Sequence, residues 1–173
     1  MHRIDIALPR TLKEKLTSEI TWAPGLTEAE KSMALSALRE LPDDTKLCHN
    51  DFHPGNVMIT AEGYQVIDWL TAASGCPAAD AARTLLLMRF GEPMHISAWK
   101  RLLIRSGMML LRHSYRKQYL KGSGVSPEEL RRWLMPIAAA RLSEWLTEHE
   151  RARLIRIVKK ELSLRIPRSN RQA

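Results

Sequence analysis

Cysteine is nearly absent from this chain. Cys48 and Cys76 are the only two in 173 residues, too few for a disulfide framework and not spaced as the C-x-x-C of a metal or redox motif. A reducing, cytoplasmic setting is therefore expected. No apolar run approaches the roughly 18 residues that a membrane span needs. The opening Met1-His2-Arg3-Ile4-Asp5 carries an acid where an export signal would be apolar, so no membrane segment is expected. Glycine is scarce as well, with 8 in all and none before Gly25. Internal repeats and low-complexity segments are lacking.

What is present is a globular composition, with 45% hydrophobic and 27% charged residues, enough for one packed core. The charge is divided unevenly. Residues 1–80 hold 7 Lys+Arg against 12 Asp+Glu, a net −5, whereas residues 81–173 hold 20 against 7, a net +13. A basic half fits an anionic partner such as nucleic acid or a membrane surface, but a set of solvated helix faces is the favoured reading.

Thr11-Leu12-Lys13-Glu14 and Thr27-Glu28-Ala29-Glu30 both read as capping boxes that start helices. Ala29, Met33, Ala37 and Leu41 then recur at helical spacing, which predicts an amphipathic helix over 28–41. Short apolar runs follow at Lys46-Leu47-Cys48, Val57-Met58-Ile59 and Gln65-Val66-Ile67. The turn Ala61-Glu62-Gly63 predicts a β-hairpin of 57–60 with 64–68. From Ala78 the pattern is helical, interrupted at Gly91-Glu92-Pro93 and Gly122-Ser123-Gly124. Ser126-Pro127-Glu128-Glu129 marks a strong helix start. The tail 167–173 is expected to fray. Trp99, Trp133 and Trp145 lie among Leu and Met and are expected in the core. His95, His113 and His149 show no paired ligand spacing. The run 151–160 reads as the exposed face of a terminal helix.

Chemistry concentrates in Leu47-Cys48-His49-Asn50-Asp51-Phe52-His53-Pro54-Gly55-Asn56, a loop between two short strands. Its H-x-D-x-x-x-x-N spacing matches a kinase catalytic loop, in which Asp takes the proton of an attacking hydroxyl and Asn helps hold Mg²⁺. Twelve residues after Asn56, Asp68 ends a hydrophobic strand, where a second metal-holding carboxylate would sit. Phosphoryl transfer from ATP needs this inventory: hard oxygen ligands for Mg²⁺ and one further carboxylate to relieve the acceptor of its proton. Either motif alone is degenerate, and an Asp after a strand is often only a turn or cap. Both in order across a hairpin are far more specific.

These residues resemble the aminoglycoside phosphotransferase and choline kinase-like family. Its H-G-D-x-H-x-x-N loop corresponds to His49-Asn50-Asp51-Phe52-His53-Pro54-Gly55-Asn56. Its I-D-W followed by G-x-P-x-x-D-x-A corresponds to Ile67-Asp68-Trp69 and Gly75-Cys76-Pro77-Ala78-Ala79-Asp80-Ala81-Ala82. Pro136 to Glu144 is similar to a C-terminal helix of bacterial members. The resemblance implies that Asp51 is the catalytic base, that Asn56 and Asp68 bind Mg²⁺ and the ATP phosphates, and that His53 supports the loop. It also implies structural roles for His49 and Asp80, the latter holding the loop backbone, with a plain N-cap as the alternative. Asn50 replaces the usual glycine. If that glycine serves a positive φ, Asn is the least costly substitute.

The resemblance implies a predominantly helical α+β fold, the C-terminal catalytic lobe of a protein-kinase-like phosphotransferase whose short hairpin carries the motifs. The expected parts are a helical segment over 1–45, the catalytic loop, hairpin and metal segment over 46–82, a helical acceptor subdomain over 83–166 and the tail. The phosphate-covering glycine loop and its lysine strand are not found, so the chain reads as about two-thirds of a two-lobed kinase: a truncated product, a late internal start or a fragment. Phosphorylation of a small-molecule hydroxyl is the first expectation, and a non-catalytic ligand- or partner-binding remnant is the alternative. Neither nucleic acid nor a membrane is expected as partner. Few glutamates, among them Glu92, Glu128 and Glu144, are available to an acceptor site, which favours a neutral or anionic acceptor over a polycation.

Overall fold

The computed structural model describes residues 2–90 and 97–165. The expected break at Gly91-Glu92-Pro93, His95 and the tail 167–173 lie outside the described residues. Both N-terminal capping boxes form: Thr11 accepts from the Glu14 N–H at the start of α1 (Leu12–Thr21), and Thr27 accepts from the Glu30 N–H at the start of α2 (Glu28–Arg39). In each, the glutamate reaches back to the threonine N–H, so two amides without an intrahelical partner are satisfied reciprocally. A third box, Ser126 with Glu129, opens α5 (Pro127–Ala140).

The β structure is small and lies in two antiparallel pairs. Strand β1 (Lys46–Cys48) pairs with β4 (Ala73–Gly75), and β2 (Val57–Thr60) pairs with β3 (Gly63–Val66). Sequence periodicity does not reveal β4, because three small residues carry no alternation. Gly75 is required there by close approach: a Cβ would collide with the Leu12 side chain of α1. The second strand of the hairpin starts at Gly63 and ends at Val66, two residues short of the expected end, because Asp68 turns into the left-handed region at φ 61. Residues 4–6 are not helical as expected. The Leu47 N–H donates to the Ile4 carbonyl and the Ile6 N–H to the Thr45 carbonyl, both at 2.9 Å, which extends β1 sideways.

Helices α3 (Pro77–Phe90), α5 and α6 (Glu148–Arg165) enclose the core with α1 and α2. Trp133, Leu12, Leu16, Ile20, Leu38, Phe90, Leu142 and Leu154 are among its large fully buried side chains, each contributing about 1.5–3 kcal/mol of transfer free energy. Trp133 is thus a core residue as expected. Trp99 and Trp145 are not, being 65% and 104% exposed. Helical spacing alone does not say which side of a helix finds a neighbour. Helix α4 (Ala98–Ser123) ends at Gly124, whose φ of 73 closes the expected Gly-Ser-Gly break, a conformation in which glycine avoids a Cβ penalty. No described helix is long and apolar enough to cross a membrane.

Candidate active site

The His49–Asn56 loop joins β1 to β2, and its polar backbone is fully occupied where it turns. Three consecutive N–H groups find acceptors: His49 donates to Asp80 Oδ2 at 3.0 Å, Asn50 to Asp80 Oδ1 at 2.7 Å and Asp51 to His49 Nδ1 at 3.2 Å. Three consecutive carbonyls find donors: His49 accepts from the Thr71 hydroxyl at 2.8 Å, Asn50 from Arg83 Nε and Asp51 from Asn56 Nδ2 at 2.8 Å. A buried turn with six paired backbone groups has one low-energy shape.

Asp80 lies within the first turn of α3 and is 1% exposed. Besides the two backbone amides, its Oδ2 lies 2.8 Å from His2 Nε2, while the Tyr119 hydroxyl meets His2 Nδ1 at 3.2 Å and donates to the Pro77 carbonyl at 2.9 Å. An end-on N-cap does not describe this carboxylate, which reaches across to a different segment. His2, Cys48 and Asp80 bring one potential ligand atom each within 4.8 Å. They do not make a metal site, because the Asp80 oxygens are already occupied by amide donors and burial pushes the Cys48 thiol up, away from the thiolate a metal needs.

His49 is fully buried and its ring partners fix the tautomer. Its Nδ1 accepts from the Asp51 N–H, so the proton is on Nε2, which donates to the Ile67 carbonyl at 2.9 Å. The ring thereby ties the loop to the end of the hairpin, and Trp69 packs against it with centroids 4.6 Å apart. Asn50 has φ 63, the left-handed conformation in which Asn is tolerated far better than most residues.

Asp51 faces outward from this frame, with its side chain 29% exposed. Asn56 Nδ2 donates to its Oδ2 at 3.1 Å. His53 Nδ1 accepts from the Gly55 N–H at 3.1 Å, which leaves its proton on Nε2, 3.6 Å from Asp51 Oδ2. Both neighbours therefore present N–H to one oxygen of the carboxylate, and Oδ1 has no hydrogen bond among the described residues. The Asn56 amide nitrogen is engaged with Asp51, and among the described residues its oxygen has no hydrogen bond.

Asp68 follows Ile67, whose N–H donates to the Asn56 carbonyl at 3.0 Å. Asp68 is exposed, holds a left-handed backbone at φ 61, and its carboxylate caps nothing. Aspartate, like asparagine, tolerates this conformation, and with no cap bond its exposed carboxylate is accessible from solvent. Asp51, His53, Asn56 and Asp68 thus lie on one short stretch of loop and hairpin, with His49 and Asp80 beneath it.

Several supporting residues carry no signature in the sequence motifs. Arg83, one turn after Asp80 and 5% exposed, sends Nε to the Asn50 carbonyl and NH2 to Glu144 Oε1 at 2.6 Å. Arg141 Nε meets the other oxygen of Glu144 at 3.1 Å. Burial pushes the Glu144 carboxyl up, but the Arg83 and Arg141 guanidiniums outweigh it and hold it below its ordinary value. The available signal was a cation in the apolar run Ala81-Ala82-Arg83-Thr84-Leu85-Leu86, where an unpaired charge would be costly. Thr71 and Tyr119 offered none. Phe52 leads outward to α4, its ring centroid 6.1 Å from that of Tyr115.

A comparison with protein families matches residues 7–133 to the family described as "Phosphotransferase enzyme family". No curated protein and no solved structure matches. The matched stretch takes in β1, the loop, the hairpin, Asp68 and Asp80 and covers well over half of the 173 residues, and the chain belongs to the phosphotransferase enzyme family.

Proposed function

We propose that the protein transfers the γ-phosphoryl group of ATP to a hydroxyl of a small molecule, with the described residues forming the catalytic lobe of a kinase-like fold. The observation that carries this reading is the uncapped, exposed carboxylate of Asp68 at a left-handed turn, one residue from the segment bonded to Asn56. Asn56 Oδ1 and the Asp68 carboxylate are hard oxygen donors, the set Mg²⁺ prefers, and they are the groups that would hold it. Bound there, Mg²⁺ would neutralise phosphate charge. Asp51 Oδ1 accepts the proton of the acceptor hydroxyl as that oxygen forms its bond to phosphorus and the bond to the ADP oxygen breaks. The Asn56 donor on Oδ2, with His53 Nε2 beside it at 3.6 Å, keeps Asp51 oriented and leaves its other oxygen for the acceptor.

The exposed apolar residues Ile59, Tyr64 and Leu70 beside the loop support a covering nucleotide-binding lobe on this side. The test is phosphoryl transfer to a panel of alcohols and amino alcohols, together with calorimetric titration of ATP in the presence of Mg²⁺. Asp51→Asn should lower turnover by about 10²–10⁴-fold while leaving nucleotide affinity unchanged. Asp68→Ala should abolish the Mg²⁺ dependence of nucleotide binding. Turnover retained in Asp51→Asn removes the assigned base, and Mg²⁺-dependent affinity retained in Asp68→Ala removes the assigned ligand.

A further inference from the structure

Helix α4 contains 7 Lys+Arg (Lys100, Arg101, Arg105, Arg112, Arg116, Lys117 and Lys121) and no Asp or Glu. It is 26 residues long, about 39 Å at 1.5 Å per residue. Its inner side is set by the half-buried Met108, Tyr115 and Tyr119. At 3.6 residues per turn, Trp99, Leu103 and Leu110 lie on the opposite side within about 40° of one another, and Leu102 and Met109 lie on the flank between that side and α3. Each is at least 60% exposed. The usual arrangement of a surface helix is therefore inverted over its first half: the apolar stripe faces away from the core.

Cations border this stripe on both sides, with Arg105 and Arg116 along one margin and Lys100 along the other. Next to the Arg105 margin lies a groove of about 550 Å³ between α3 and α4, lined by Arg89, Arg105, Arg112 and Arg153 around Leu102 and Met109. Burial, followed by the neighbouring Arg112 and Arg153, holds the Arg89 guanidinium below its ordinary value, so this groove gains from any anion that enters it.

We propose that α4 is a peripheral membrane-binding helix that lies in the interface of an anionic bilayer, its Trp99–Leu110 face inserted among the acyl chains and its cations on lipid phosphates. The charge decides between occupants. A second copy would bring seven further cations against seven, with no carboxylate on either helix. An apolar face bordered by cations on both margins and carrying a tryptophan matches a planar, negatively charged interface. This surface is independent of the phosphoryl-transfer reading, and a helix lying on a membrane is compatible with the absence of a spanning helix among the described residues.

The test is co-sedimentation of the full 173-residue chain with vesicles of phosphatidylcholine alone and of phosphatidylcholine with phosphatidylserine. Binding should be at least about tenfold tighter to the serine-lipid vesicles and should weaken as salt rises. Leu103→Glu with Leu110→Glu should weaken it by about tenfold or more with unchanged circular dichroism, since both side chains are exposed. Should that double variant misfold, Trp99→Ser supplies the same comparison. Arg112→Gln with Arg116→Gln should flatten the salt dependence. The proposal is overturned by absence of binding, by equal binding to both vesicles, by wild-type binding of the folded stripe variants, or by a solution dimer that those variants dissociate.

Discussion

Replacing Asp80 by asparagine isolates what holds the catalytic loop. The carboxylate is 1% exposed and accepts from the His49 and Asn50 amides at 3.0 and 2.7 Å, with His2 Nε2 at 2.8 Å. Asparagine has the same shape but only one acceptor oxygen. Whichever way its amide turns, the NH2 end faces a buried backbone N–H, so at least one charge-assisted bond becomes a donor–donor contact. A hydrogen bond to a charged group contributes about 1.5–3 kcal/mol and an orphaned buried amide costs about 1–3 kcal/mol. These overlap, which places the loss at about 2–4 kcal/mol.

Urea unfolding followed by circular dichroism reads this directly. With a slope of about 2 kcal/mol per molar urea, the midpoint of Asp80→Asn should fall by about 1–2 M. Asp5→Asn is the control: Asp5 pairs with Lys46 at 2.7 Å on the surface, and its removal should leave the midpoint unchanged. Asp80→Ala orphans both amides and adds a cavity, a loss that approaches the whole stability of a small domain. An Asp80→Asn midpoint within about 0.3 M of wild type would refute the view that this carboxylate holds the loop.

Glu144 is held below its ordinary value of 4.5 in the folded chain. Its stabilising contribution is therefore complete above that value and is lost as pH falls through the depressed folded value. The destabilisation caused by Glu144→Gln should accordingly be largest at neutral pH and shrink on acidification below 4.5, as measured by urea midpoints at each pH. Gly75→Ala should cost about 1–3 kcal/mol by overpacking α1 against β4, seen as a lower thermal midpoint. Cys48 is fully buried, and burial raises its thiol, so alkylation should be far slower in native than in urea-unfolded protein and should follow global unfolding.

The sequence was most legible where local chemistry alone decides structure. Thr11 with Glu14, Thr27 with Glu30 and Ser126 with Glu129 each solve a problem that arises within four residues, and all three capping boxes form. The hairpin turn is local in the same sense. Where the outcome depends on which distant segment supplies a neighbour, periodicity was silent or misleading. Strand β4 exists because β1 needs a partner and α1 needs a groove without a Cβ. Residues 4–6 are extended for the same reason.

The candidate site divides along the same line. Asp51, Asn56 and Asp68 stand out in sequence through the H-x-D-x-x-x-x-N spacing and the aspartate that ends the next strand. The groups that hold them, Arg83, Thr71, Glu144 and Tyr119, each satisfy a backbone or charge partner more than 20 positions away. Such a residue has no pattern of its own, and only the accounting of buried polar groups finds it: three carbonyls and three amides in the turn require six partners, and the fold supplies every one. A different kind of failure is seen in α4. Trp99 lies among Leu and Met, which predicts a core position, yet the helix turns Tyr115 and Tyr119 inward and leaves Trp99, Leu103 and Leu110 exposed. Amphipathicity specifies that a helix has an apolar face and leaves open what that face meets. In α4, the cations bordering the stripe are what favour a negatively charged surface as its partner.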